Sequence, residues 1–173
     1  MENKMSWIVW VITAIIVFTC IAVVTIFYNL TKLQEETREK YLKVDSYQME
    51  KWNMAKRLTE YVESYHQEGK TFEDAHAVLD KDLMAMGKEE KLAAYRQMEE
   101  ILGKLLVEVK EHGNLQCEEK IRMICMKLKD EAFMYHAAEA EYDRCVSKYN
   151  DQIEKAPGKY VAGIFGLKKQ PRL

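Results

Sequence analysis

No charged side chain stands between Lys4 and Lys32, and the run from Met5 to Thr31 is almost continuous Ile, Val, Trp, Phe, Ala and Thr. About 20 apolar residues, each rising about 1.5 Å, cover a hydrocarbon core of about 30 Å, so the pattern predicts a membrane-spanning helix over residues 5–28. Behind it, apolar positions recur every three or four residues among charges, the mark of helices buried on one face. Tyr41, Val44, Tyr47 or Gln48 and Trp52 form one stripe. Ala55, Leu58, Val62 and Tyr65 form the next, and Phe72, Ala75, Leu79 and Leu83 a third that runs to Met86. Residues 89–111 carry Leu92, Tyr95, Leu102, Leu105, Leu106 and Val109 as a buried side. The longest stripe lies between Leu115 and Lys155: Ile121, Ile124, Cys125, Leu128, Ala132, Tyr135, Ala138, Tyr142, Cys145, Tyr149 and Ile153, a bundle or coiled-coil face. The predicted fold is all-α, a transmembrane helix continuing into an antiparallel helical bundle over 29–155. Continuity is expected because neither Gly nor Pro separates the apolar run from the helix behind it.

Punctuation between the stripes sets the expected breaks. Asn53 is a good N-cap residue, and Gly69 with a capping-box-like Thr71 and Asp74 is a second candidate break. Gly87 reads as a helix end, and His112-Gly113-Asn114 as a turn with Asn114 capping the last long helix. A break at Gly69 makes three long helices, 32–67, 72–111 and 115–155. Pro157-Gly158 stops the last of them. The tail, 156–173, holds Lys159, Lys168, Lys169 and Arg172 with no acid, and its Val161, Ile164, Phe165 and Leu167 suit a short amphipathic helix against the bundle or an anionic membrane face.

The flanks argue for a retained anchor over a cleaved signal. Residues 1–4 offset Lys4 with Glu2, the apolar run is too long, and no Ala-x-Ala follows it. Phe18 and Thr19 before Cys20 are not the small pair a lipoprotein site needs. Trp7 and Trp10 at one end, and Phe27, Tyr28 and Lys32 at the other, are the expected membrane-interface residues. Lys32, Arg38, Lys40 and Lys43 follow the run where only Lys4 precedes it, which places the N-terminus outside and the bundle in the cytoplasm of a single-pass cell-membrane protein.

Composition narrows the partners. Only Lys4 and Glu2 precede the run, so 25 of the 26 basic and 27 of the 28 acidic residues follow it, and this near-neutral balance offers no field for nucleic acid. With 31% charged residues, two prolines and seven glycines, the remainder suits helices. Cys20 lies in the apolar run, and Cys117, Cys125 and Cys145 are spaced as reduced thiols on helix faces, not as a zinc site or a disulfide framework.

The C-terminal segment carries a pattern more specific than periodicity. Tyr142, Val146, Tyr149, Asn150 and Ile153, then Pro157 and Val161-Ala162-Gly163-Ile164-Phe165-Gly166-Leu167, resemble the bacterial LemA family. A Tyr28-Asn29 pair just after the membrane helix fits the same resemblance. The family implies a four-helix bundle with a break near Asn53, which leaves Gly69 inside the second helix. This chain departs from the family around Glu50 to Arg57, where the capping Asn53 is kept and the proline is absent, and at Ala156, so the resemblance is to a divergent member.

Candidate chemistry is sparse. Glu63 with His66, and Glu73 with His76, are Glu-x-x-His pairs of the kind that carboxylate bundles use for two metals. On one helix the pairs stand about 15 Å apart, too far to share a metal pair. A Gly-rich phosphate loop and a Gly-x-Ser-x-Gly elbow are absent from the sequence, so no catalytic and no cofactor-binding residues are assigned and no cofactor is expected. Ten methionines suit an adaptable partner groove. The expected function is therefore a non-enzymatic interaction or scaffold module, whose partners are the lipid bilayer and another membrane protein or protein complex, with homo-oligomerisation left open. The alternatives are a transmembrane signalling relay, which fast amide exchange between Tyr28 and Lys43 would remove, and a metal-dependent bundle enzyme, which a metal-free elemental analysis would remove.

Overall fold

The computed structural model describes residues 2–65 and 70–173. They form α1 (Glu2–Tyr65), α2 (Lys70–Leu79), α3 (Lys88–Glu111), α4 (Gly113–Cys117), α5 (Glu119–Glu154) and α6 (Gly158–Phe165), with no strand among the described residues. The all-α expectation and the long apolar N-terminal helix are both present.

Helix α1 carries its apolar run without a break, and the threonine hydroxyls within that run are satisfied inside the helix. Thr13, Thr19 and Thr25 donate to the carbonyls of Val9, Ile15 and Ile21 at 2.8–2.9 Å, so none needs a partner outside the helix. The break expected at Asn53 is corrected: the helix runs through that residue to Tyr65. Trp52, Met54, Ala55 and Leu58 on either side are all buried in one core, and their packing outweighs the few tenths of a kcal/mol by which Asn disfavours a helix interior. Gly69 lies outside the described residues.

The chain divides into two compact units. Unit 2, residues 43–137, has a core of Trp52, Leu58, Val62 and Ala55 from α1, Phe72 and Leu79 from α2, Met98 and Leu105 from α3, Leu115 from α4, and Ile121 and Leu128 from α5. Lys56 meets Asp80 and Glu63 meets His76, so α2 lies back along α1. Asp45 meets Lys91 and Tyr95, and Lys51 meets Glu99, which seats α3 on α1 in the opposite sense. Tyr65 and Leu106, expected inside, are exposed.

Three other expectations change here. The third stripe is helical only to Leu79: the Asp82 side chain accepts the Met84 N–H at 2.9 Å, and this local bond competes with the helix ladder, interrupting the long 72–111 helix of the three-helix alternative. Gly87 does not close α2 but begins α3, with extended backbone (φ −66°, ψ 161°) and its N–H donated to the Glu90 carboxylate. Asn114 does not cap the last long helix. It sits inside the one-turn α4, and extended Glu118 separates α4 from α5.

Unit 1, residues 1–42 with 138–173, is built on Leu30, Tyr149, Ile153, Val161 and Ala162, flanked by Val23, Ile26, Phe27, Leu33 and Leu167. The tail helix expected after Pro157 is α6. It ends at Gly166, whose φ of 66° suits glycine, and the Leu167 N–H closes back to the Ala162 carbonyl at 2.9 Å.

Candidate functional site

Of the two Glu-x-x-His pairs, the described residues are Glu63, Glu73 and His76. Glu63 and His76 belong to different pairs yet meet directly, with Nε2 2.9 Å from Oε2. The other His76 nitrogen lies 3.6 Å from Asp80, which in turn accepts from Lys56 at 2.7 Å. Glu73 is exposed on α2, and His66 lies outside the described residues. The α1–α2 contact therefore holds a Glu63–His76–Asp80–Lys56 chain, and among the described residues no group of three or more His, Cys, Asp or Glu is placed to hold a metal ion.

The same chain makes this contact sensitive to pH. The hydrogen bond to Glu63 holds the His76 pKa above its ordinary 6.5, against partial burial and with help from the Glu63 and Asp80 charges. The bond to Lys56 holds Asp80 below its ordinary 3.8. A raised histidine contributes stability below about 6.5 that is lost as pH climbs through its folded value; a lowered aspartate contributes above about 3.8 and loses it on acidification. Protection of α2 amides, corrected for intrinsic exchange, is expected to be greatest between those limits and to fall on going to about pH 8. In His76→Gln the alkaline fall should vanish. An unchanged profile removes the histidine from the contact.

On another face of unit 2, α1 and α5 border a groove of about 570 Å³. Helical spacing builds it: Met49, Asn53 and Arg57 line the α1 side, and Lys120, Met123 and Lys127 the α5 side. Tyr61 lies beneath Lys120, whose ammonium sits 5.3 Å from the ring centroid. Asn53, read from sequence as a helix cap, is instead a groove residue. Sequence reasoning missed Glu131, one of whose carboxylate oxygens is buried with no hydrogen-bond partner among the described residues; burial, with the charges of Glu50 and Asp130, raises its pKa.

In unit 1 the residues of the C-terminal pattern hold the tail. The Asn150 amide clamps the backbone of Gln170 from both sides, donating to its carbonyl and accepting its N–H, each at 2.9 Å. The Tyr142 hydroxyl donates to the Pro171 carbonyl at 2.8 Å, and Asp143 accepts the Leu173 N–H. Burial first, then Tyr41 and Asp143, pushes the Tyr142 pKa up to about 12, so it stays a donor at physiological pH. Val146, Tyr149 and Ile153 are buried on the same helix. Gly158, next to Pro157, passes so close to α5 that a Cβ there would lie 2.1 Å from the Gln152 carbonyl oxygen. The available signal was an Asn in the interior of a long helix, where its side chain competes with the backbone unless something distant engages it. Cys145 is buried and its thiol, raised first by burial and then by Glu36, faces that carboxylate; Cys125 is half-buried; Cys117 is exposed at the end of α4 rather than on an apolar face.

Of the expected interface residues, Trp7, Trp10 and Tyr28 are exposed, whereas Phe27 is half-buried, its ring 4.2 Å from that of Phe165. Together these features define the class: an all-α protein with a long, uncovered apolar N-terminal helix and a C-terminal segment clamped by a Tyr/Asn-bearing helix. A family model described as the LemA family matches residues 40–173, and the chain belongs to that family. The match begins beyond Tyr28-Asn29, leaving that pair and the apolar run outside it. A search of curated proteins returned no match.

Proposed function

We propose that this chain is a single-pass membrane protein whose helical bundle, in the cytoplasm, is a non-enzymatic docking module for another membrane protein or protein complex. The anchor is supported by the apolar run, in which an 18-residue window has a mean hydropathy of 2.7 and none of it is buried against protein. A helix apolar on all sides needs an apolar solvent. The orientation rests on the excess of Lys and Arg after the run. An up-down-up-down bundle of the second half of α1 with α2, α3 and α5 is supported by the pairing of Lys56 with Asp80, Asp45 with Lys91, and Tyr61 with Lys120.

The observation that carries the docking role is the groove between α1 and α5. Methionines repack to fit a partner's apolar side chains, and Arg57, Lys120 and Lys127 outnumber Glu50 along the lining, which favours an acidic, amphipathic segment. A photo-cross-linking residue at Met123, in native membranes, is expected to capture a discrete protein partner that the same residue at exposed Val107 on α3 does not. Charge reversal at Arg57 and Lys127 should abolish that capture. Equal capture at both positions, or capture indifferent to the reversals, removes the groove from the function.

A further inference from the structure

Helix α6 is apolar on both of its faces. Gly158, Val161 and Ala162 are buried in unit 1. On the other side Tyr160 and Ile164, one turn apart, are 70% and 72% exposed. Lys159 is the one charged residue in the helix. In water this is an unfavourable way to leave eight residues, because a helix apolar all round belongs in a core or in lipid.

The neighbours of α6 say which. It packs on the last turns of the apolar run: Val161 and Ala162 share a core with Leu30, flanked by Val23, Ile26 and Phe27, and Phe165 stacks on Phe27. Val24 and Tyr28, on the same turns of α1, face away from protein. A helix fixed beside Phe27 sits at the depth of Phe27. The residues that follow carry no acidic side chain after Glu154; Lys169 pairs with Glu154 and Arg172 donates to Ser147, which leaves exposed Lys168, just beyond the helix, as the cation suited to a lipid phosphate.

We propose that α6 is embedded in the membrane interface alongside the end of the spanning helix, with Tyr160 and Ile164 in contact with lipid. This rests on the membrane-anchor reading above and extends it: the protein enters the bilayer twice, once as a span and once as a short interfacial helix tied to that span. The tie fixes the depth and rotation of the anchor, and the clamp of Asn150 and Tyr142 on residues 170–171 fixes the far side of α6 to α5.

The test uses the full chain, with its four cysteines replaced, in vesicles of phosphatidylcholine and phosphatidylglycerol. An environment-sensitive fluorophore is placed in turn on Ile164→Cys, Val24→Cys and Met123→Cys, all exposed positions. Nitroxide-bearing lipid and aqueous iodide are the quenchers. The proposal expects position 164 to be quenched several-fold more by lipid nitroxide than by iodide, as position 24 is, with position 123 reversed. If position 24 reports lipid while position 164 reports water, the proposal is overturned and the anchor stands. If position 164 is shielded from both quenchers, a second copy or another protein covers α6, and the proposal is overturned again. If position 24 also reports water, the anchor reading fails and takes the proposal with it.

Discussion

Gly158→Ala is expected to detach α6 from unit 1 at a cost of about 3 kcal/mol in the stability of that unit. The new methyl would lie 2.1 Å from the Gln152 carbonyl oxygen and 3.1 Å from its carbon, and both are backbone atoms inside α5 that cannot swing aside. Relief requires α6 to move, which opens the contacts of Val161 and Ala162 with Leu30; each large aliphatic side chain uncovered there forfeits about 1.5–3 kcal/mol. Gly163, in the same helix, has nothing within 4 Å of the corresponding position. Gly163→Ala should therefore be neutral, or stabilising by up to about 1 kcal/mol through helix propensity. Hydrogen exchange across residues 158–165 reads the difference. Equal protection in the two variants would mean that the close approach of α6 to α5 does not exist in solution.

Asp45→Ala is expected to destabilise unit 2 by about 2–3 kcal/mol. Its carboxylate receives the Lys91 ammonium at 2.6 Å and the Tyr95 hydroxyl at 2.9 Å, and the two charged side chains are only 14% and 13% exposed. Removing the acid leaves a largely buried ammonium facing the Tyr95 ring without its counter-charge, which costs more than the pair contributes. Asp45→Asn keeps an acceptor for the tyrosine and loses only the charge, so it should fall between. The Glu35–Arg38 pair is the contrast: both side chains are largely exposed, and its loss should be barely measurable. Urea denaturation of the variants separates these cases. An Asp45→Ala variant as stable as the parent would show that water already reaches the pair.

Neither residue announces itself in sequence. Asp45 is one of 28 acids in the chain, and what distinguishes it is that α3 delivers Lys91 and Tyr95 to the same spot. Gly158 reads as half of a Pro-Gly helix stop, which it is, but its closeness to Gln152 depends on how the chain folds back after Pro157. The Asn150 clamp is similar: the Tyr149-Asn150 pair was visible, yet its partner lies at the far end of the tail.

Helices and their buried faces were legible from the 3.6-residue recurrence of apolar side chains, because burying one face of a helix is a local demand written at fixed spacing. The stripes of α3 and α5 and the core residues Leu58, Val62, Phe72 and Leu79 follow that rule. The membrane-spanning length of the first run is equally local, a matter of how many consecutive residues lack charge. Boundaries were less legible, because they are settled by competition. Asn53 prefers a cap but lies between Trp52 and Met54, which the core takes; Asp82, beyond the end of α2, bonds the Met84 N–H in a local turn even though its neighbour Leu83 is buried in the same core. What only the tertiary structure decided is which distant groups meet: Glu63 with His76, Arg57 with Lys120 and Lys127 around one groove, and α6 against Phe27. Periodicity tells a helix which face to bury but carries no address for the partner. That address comes from the joint packing of all the helices.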